Sequence, residues 1–397
     1  MPQPGSRRRS TTSPRQAATN IAGMHGDGPR EDADLAEAPV LQHLTVDDYE
    51  SAARGRLSRM AFDYYAGGAG DEWTLRENRR AFERWVIRPR VLVDVTSIDT
   101  RTRVLDQPVP FPILLAPTAF QRMAHPEGEL AVARAAAGLG ALMVVSTIST
   151  VSLEDLATTG VHRWFQLYVL KDRELTARLV ARAEAAGYRA IVLTVDTPLL
   201  GRRLRDERNR FTLPPGIGMA NLEEAGLPTA AGSGLPSFFL SRHDTALTWR
   251  DVAWLRTLTD LPLLLKGIVT AEDTRLAIEA GADGVIVSNH GGRQLDCAPA
   301  TLDALPEVVA EASGRIEVLM DGGVRRGTDA LKALALGAGA VLVGRPYLWG
   351  LAAEGEEGVR RVLEGLRDEL ILAMALAGRP SVAGIDRSTV GRAPAAP

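Results

Sequence analysis

From residue 113 onward, short apolar or β-branched runs return eight times: "ILLAPTAF" (113–120), "LMVVST" (142–147), "RWFQLY" (163–168), "AIVLTVDT" (190–197), "LPLLLKG" (261–267), "GVIVSN" (284–289), "EVLMDGG" (317–323) and "AVLVGRP" (340–346). Between most of them lie stretches of helical character such as "ELAVARAAAGL", "LTARLVARAEAAG", "AEDTRLAIEAG" and "GTDALKALALG", several closed by the glycine that a helix C-terminus favours. Strands buried on both faces and alternating with helices form a parallel sheet, and eight such units in a row predict an α/β fold of the closed (β/α)8, or TIM-barrel, type. The alternative is an open doubly wound sheet, but no G-x-G-x-x-G follows an early strand as a dinucleotide fold would require. A chain of 397 residues, 45% of them hydrophobic, can bury the large core such a barrel needs.

The ends of the chain read differently. Residues 1–44 are rich in Pro, Gly, Ser, Arg and Ala without a sustained period, so they are expected to form a disordered tail. Order is expected over 45–390, as a barrel domain preceded by helices. Thr45 is the first N-cap candidate, with Asp48 three residues on, and Gly67, Gly68 and Gly70 end the second helical stretch. The segment 212–248, with its Pro, Gly and Ser, predicts a long mobile loop after the fourth strand, placed like a lid.

Charge and cysteine content narrow the function classes. The 46 basic and 49 acidic residues nearly cancel to −3, which leaves no field to gather nucleic acid or an anionic membrane. No run of about 18 apolar residues occurs, so no membrane span is expected. The single cysteine, Cys297, cannot form an internal disulfide, and with no secretory signal at the start the expected location is the cytoplasm.

Barrel chemistry sits where strands end. The exits here carry Pro117, Thr118 and Ala119; Ser146; Gln166 and Tyr168; Thr194, Asp196 and Arg203; Lys266; Ser288, His290 and Arg293; Asp321, Gly323 and Arg325; Gly344 and Arg345. Polar groups at nearly every exit are costly to bury unless they hold a ligand or one another. The last two exits combine glycine-rich turns, arginines and a helix start, which suits a phosphate dianion. His290 is the best candidate base, since His125 lies just ahead of a proline-started helix and the other histidines fall in the tail, before a strand or in the long loop. Asp196 is placed to orient it. Arg203 and Arg293 are fixed donors for a carboxylate, which implies an anionic substrate, and Tyr64 and Tyr168 can add hydroxyls, although Tyr64 also suits simple packing. Lys266 ends a wholly apolar strand, where it needs either a developing negative charge on a cofactor or a salt bridge to a neighbouring aspartate.

These residues are recognisable together. The segments "SNHGGRQLD", "APTAFQRMAHPEGE", "FQLY", "LTVDTPLLGRR", "LLKG", "DGGVRRGTD" and "GRP" resemble the FMN-dependent 2-hydroxy-acid oxidase and dehydrogenase family over about residues 41–390. The resemblance implies that His290 removes the substrate's α-proton or receives its hydroxyl proton, that Arg203 and Arg293 hold the carboxylate, that Tyr64 and Tyr168 assist, and that Asp196 supports the histidine. It also implies FMN held by Thr118, Ala119, Ser146, Gln166, Thr194, Lys266 and Ser288, with Asp321, Gly323, Arg325, Gly344 and Arg345 around its phosphate. The expected reaction is oxidation of an L-2-hydroxy acid to the 2-oxo acid with dioxygen reduced to hydrogen peroxide, in a homotetramer. The alternatives are a dehydrogenase passing electrons to a quinone or cytochrome, a flavin barrel without net redox chemistry, and a non-catalytic binding protein. Two positions depart from the glycolate-oxidising pattern: Ile148 stands where those members carry tryptophan, and Leu199 where they carry arginine. Ile148 would shape the side-chain pocket, which points to a larger or more apolar acid.

Overall fold

A computed structural model describes residues 43–225 and 241–394. All eight apolar runs form strands: β1 (Ile113–Leu115), β2 (Leu142–Ser146), β3 (His162–Leu167), β4 (Ile191–Thr194), β5 (Leu263–Ile268), β6 (Gly284–Val287), β7 (Glu317–Asp321) and β8 (Ala340–Val343). Neighbours pair in parallel around a closed ring, and β8 returns to β1 through Val341 opposite Ile113 and Val343 opposite Leu115. The open sheet is thereby excluded, and the fold is a (β/α)8 barrel.

Alternation along each strand sorts the apolar residues into two cores. Leu114, Val144, Trp164, Val192, Leu264, Ile286, Leu319 and Leu342 fill the barrel interior, while Ile113, Leu115, Met143, Val145 and Leu193 pack outward against the helices. An antiparallel hairpin, Thr102–Val104 with Gln107–Val109, plugs one end. Its Val104 and Val109 join the interior cluster, and the Trp164 indole donates to Gln107 Oε1 at 3.1 Å. Each fully buried aliphatic side chain here contributes about 1.5–3 kcal/mol. The plug covers the strands' N-terminal ends, so the C-terminal ends form the mouth.

Three N-terminal helices border that mouth: α1 (Val46–Arg56), α2 (Arg59–Ala66) and α3 (Trp73–Glu83). Thr45 caps α1 in a reciprocal pairing with Asp48, as the sequence pattern predicts. The α2 helix stops at Gly67 and presents Tyr64 and Tyr65. From α3, Asn78 exchanges two 2.8 Å hydrogen bonds with Asn289, which ties the helix to the loop after β6. The tail expected over residues 1–44 lies outside the described residues except for His43 and Leu44, and the loop expected over 212–248 lies partly outside them. No helix among the described residues is long and apolar enough to cross a membrane.

Candidate active site

The loop after β6 answers why a histidine is followed by two glycines. His290, Gly291 and Gly292 all adopt left-handed backbone, with φ of +58°, +64° and +76°. A Cβ at Gly292 would lie 2.6 Å from the backbone nitrogen of Leu75, and one at Gly291 would lie 2.7 Å from the Arg345 guanidinium. Only glycine tolerates both the conformation and the space. His290 accepts that strain, a cost of about 1–3 kcal/mol that persists where surrounding contacts dictate it. Those contacts are visible: the Ser288 hydroxyl accepts from His290 N at 3.1 Å, and Asn289 Oδ1 accepts from Gly292 N at 3.0 Å.

The imidazole so placed meets Asp196, Nδ1 to Oδ1 at 2.9 Å. With a carboxylate as partner, Nδ1 carries the proton and Nε2 is the basic nitrogen. Burial lowers the His290 pKa below its ordinary 6.5; Asp196 opposes this, and the nearby Lys266 charge adds to it. The imidazole is therefore neutral at neutral pH, the form a general base needs. Burial raises Asp196, but His290 and Lys266 outweigh it and hold the carboxyl below the usual carboxylate range. Lys266 is itself 3% exposed, its Nζ 3.2 Å from Asp321 Oδ2 and 2.9 Å from the Ser288 hydroxyl. Burial opposes its charge, yet Asp321 and Asp196 prevail and raise its pKa. The salt bridge expected as an alternative is thus present, and it stabilises a buried cation facing the cavity.

Four guanidinium groups gather around the same cavity, and none has a carboxylate within ion-pair distance among the described residues. Arg203, 6% exposed, donates to Arg293 O and Gln294 Oε1 at 3.3 and 3.4 Å. Burial, then the adjacent Arg293 charge, brings its pKa down to about 10. Arg293 donates to Tyr64 O at 2.6 Å and Gly67 O at 3.0 Å and lies over the Tyr64 ring, 5.0 Å from its centre. Arg325 is also brought to about 10, first by burial, and its Nε has no hydrogen-bond partner. Arg345 donates to the carbonyls of Tyr65, Gly291 and Gly67 at 2.8, 3.0 and 2.9 Å. Arg293 and Arg345 share the Gly67 carbonyl, so the four form one cluster, and clustered cations without counterions are costly unless anions are bound among them.

All the catalytic, substrate-binding and cofactor-binding residues expected from the sequence line this cavity except Asp196 and Ser288. Asp196 stands behind His290, as expected of a support. Ser288 is fully buried beneath Lys266 and His290, so it positions these two instead of facing the cavity. Two members of the expected phosphate set also act differently. Asp321 faces Lys266, and a carboxylate repels a phosphate; it suits hydroxyl groups. Gly323 is a glycine because a Cβ would fall 2.0 Å from Asn78 O, so α3 can approach. Leu199 is 65% exposed outside the cavity, and Leu200 lines it with Ile148.

Tyr64 does both things expected of it, stacking on Phe211 at 4.6 Å while lining the cavity. Tyr168 is buried, which raises its pKa, and meets the edge of His243 at 5.6 Å. His125 lies against Gly355, away from the site, in a turn ahead of the helix that starts at Glu129 rather than at Pro126. Sequence reasoning missed Tyr65, Thr197, Leu200 and His243. Only the doubled tyrosine and doubled leucine hinted at two of them, since which member faces inward depends on the turn.

The comparisons with known proteins agree with this geometry. The family described as FMN-dependent dehydrogenase matches residues 53–392. A glycolate oxidase from Spinacia oleracea is 56% identical over 354 residues, 88% of this chain and 96% of that protein. An L-lactate oxidase from Nostoc sp. is 56% identical over 358 residues, 88% and 98% of the two chains. Among solved structures, a mandelate oxidase with (S)-4-hydroxymandelic acid superposes with a TM-score of 0.84 at 48% identity, covering 88% of this chain and 98% of that one. With a match along the barrel and the helices before it, this chain belongs to the FMN-dependent dehydrogenase family.

Proposed function

We propose that the protein is an oxidase that takes an L-2-hydroxy acid to the 2-oxo acid on FMN and passes the electrons to dioxygen, releasing hydrogen peroxide. The observation that carries this reading is the convergence of an imidazole and two guanidinium groups without carboxylate partners on one cavity. The residues present fit the cofactor. Gln166 Nε2, Asp321 Oδ1 and Arg325 Nε are buried polar atoms without partners in the cavity wall, and a flavin ring, ribityl hydroxyls and a phosphate would satisfy them in that order. Bound FMN supplies a two-electron acceptor. Pro117, Thr118, Ala119, Ser146, Gln166 and Thr194 would border its ring, and Gly344, Arg325 and Arg345 its phosphate.

The chain's own groups divide the remaining work. Arg203 and Arg293 hold the carboxylate, and Tyr64 and Tyr168 complete that end of the pocket. His290 Nε2 takes a proton from the substrate, from the α-carbon or from the hydroxyl, and Asp196 stabilises the imidazolium that results. Lys266 places a fixed positive charge where negative charge collects. Ile148 and Leu200 give the substrate's side chain an apolar wall, which favours acids larger than glycolate. The glycolate, lactate and mandelate oxidases among the relatives support dioxygen as the acceptor. We further propose a cytoplasmic location, on the ground of the single cysteine, and a homotetramer, a state that light scattering on the purified protein would check.

The test is anaerobic loss of the flavin's yellow colour across a panel of 2-hydroxy acids graded in side-chain size, followed by oxygen uptake with the best of them. Fast bleaching by lactate- or mandelate-sized acids with oxygen uptake is expected. No bleaching by any acid would end the reading, and bleaching without oxygen uptake would make the protein a dehydrogenase.

A further inference from the structure

A second cavity lies beside the first, between the exits of β4 and β5. The two share a wall: Thr194 and Thr197 line both. The rest of the second cavity is largely apolar, with Val195, Leu247, Trp249, Val252 and Ile268 around it. His243, Asp244, Thr245, Thr248 and Asp273 add polar groups to its lining, and two of these are engaged elsewhere. Asp244 pairs with Arg173 at 2.6 Å, and the Thr248 hydroxyl donates to Asp251 at 2.9 Å. Toward solvent the cavity ends at Thr245 and Thr248, which are exposed.

We propose that this cavity is the access route and holding site for dioxygen, separate from the route taken by the 2-hydroxy acid. The inference rests on the oxidase reading. Its physical basis is a difference between two walls. The main mouth presents His290, Arg203 and Arg293, which suit a hydrated anion, and an acid or its product held there occupies the way in. An uncharged diatomic needs no such groups and favours apolar space, which water fills poorly. Thr197 suits a gate between the two: it is 2% exposed and its hydroxyl has no hydrogen-bond partner, so rotating the side chain breaks no bond. The stoichiometry closes without another reactant. The acid loses two electrons and two protons, from its α-carbon and its hydroxyl. The electrons pass through the cofactor, and with two protons they reduce dioxygen to hydrogen peroxide.

The experiment uses the holoenzyme. Val252→Trp fills the cavity, and Leu247→Trp narrows it from the rim, so the inference does not depend on one variant folding. In stopped flow, reoxidation of the reduced enzyme by dioxygen should slow several-fold in either variant, while anaerobic reduction by the acid stays as in the unmodified protein. Reoxidation at the unmodified rate in a folded variant overturns the proposal. Xenon, an apolar probe of similar size, should appear in this cavity in pressurised crystals; its absence there also overturns it. Failure of the parent reading is distinguishable, because the unmodified reduced enzyme would then not react with dioxygen at all.

Discussion

Replacing Asp196 by asparagine tests whether the base works through its buried partner. The exchange keeps the shape and an oxygen able to accept from His290 Nδ1, so the 2.9 Å contact can survive while the charge is lost. Its cost falls on the state in which the imidazole has gained a proton. The side chains are only 21% and 11% exposed, so screening is weak. With charge centres about 4 Å apart and an effective dielectric of about 20, the lost attraction is about 4 kcal/mol. At about 1.4 kcal/mol per decade, flavin reduction should slow by about 10³-fold. Because the imidazole is already neutral before reaction, substrate binding should change little, and the loss should fall on the rate at saturating acid. The assay is anaerobic bleaching in stopped flow, with the yellow colour of the purified variant showing that cofactor is retained. Asp196 Oδ2 has no hydrogen-bond partner, so an amide nitrogen there costs about 1–3 kcal/mol of stability, and a melting curve should accompany the rate. Reduction within about threefold of the parent, less than 1 kcal/mol, would refute the assignment of His290 and Asp196 as base and support.

Other perturbations read different parts of the site. His290 has a pKa below 6.5 and must be neutral to accept a proton, so kcat/KM should be flat through neutrality and fall only as pH drops through that lowered value; an acid limb above 6.5 would contradict it. Arg203→Lys keeps the charge and loses the fork, and should raise KM for the acid by about 10- to 100-fold, the loss of a charge-assisted hydrogen bond, with a smaller effect on kcat. Ile148→Trp should shift preference toward small acids, lowering the mandelate-to-glycolate ratio of kcat/KM by about tenfold or more. Gly292→Ala meets the Leu75 backbone and costs at least about 1–2 kcal/mol of conformational strain, seen as a lower Tm and slower bleaching. Gly55→Ala is the control: a Cβ there touches nothing within 4 Å, so the Tm should hold or rise.

Much of this protein is legible in one dimension because its chemistry is periodic and local. Eight apolar runs separated by helical stretches admit few closed arrangements, and strand ends are where a barrel opens, so the runs alone located His290, Lys266 and the four arginines. The Thr45 and Asp48 pairing was likewise readable, since a helix cap spans only four residues. What stayed hidden depends on groups far apart in the chain. Ser288 turns under Lys266, Gly323 makes room for α3, and Arg345 is oriented by the carbonyls at the end of α2, contacts between residues 22 to 280 positions apart. Whether Leu199 or Leu200 faces the substrate is set by the turn after β4, not by either side chain's nature. The second cavity exists only because β4, β5 and the segment 243–252 pack imperfectly against one another. Sequence specifies which elements form and which groups stand at their ends; direction and distance between those groups come from packing, which is a sum over many weak, non-local contacts.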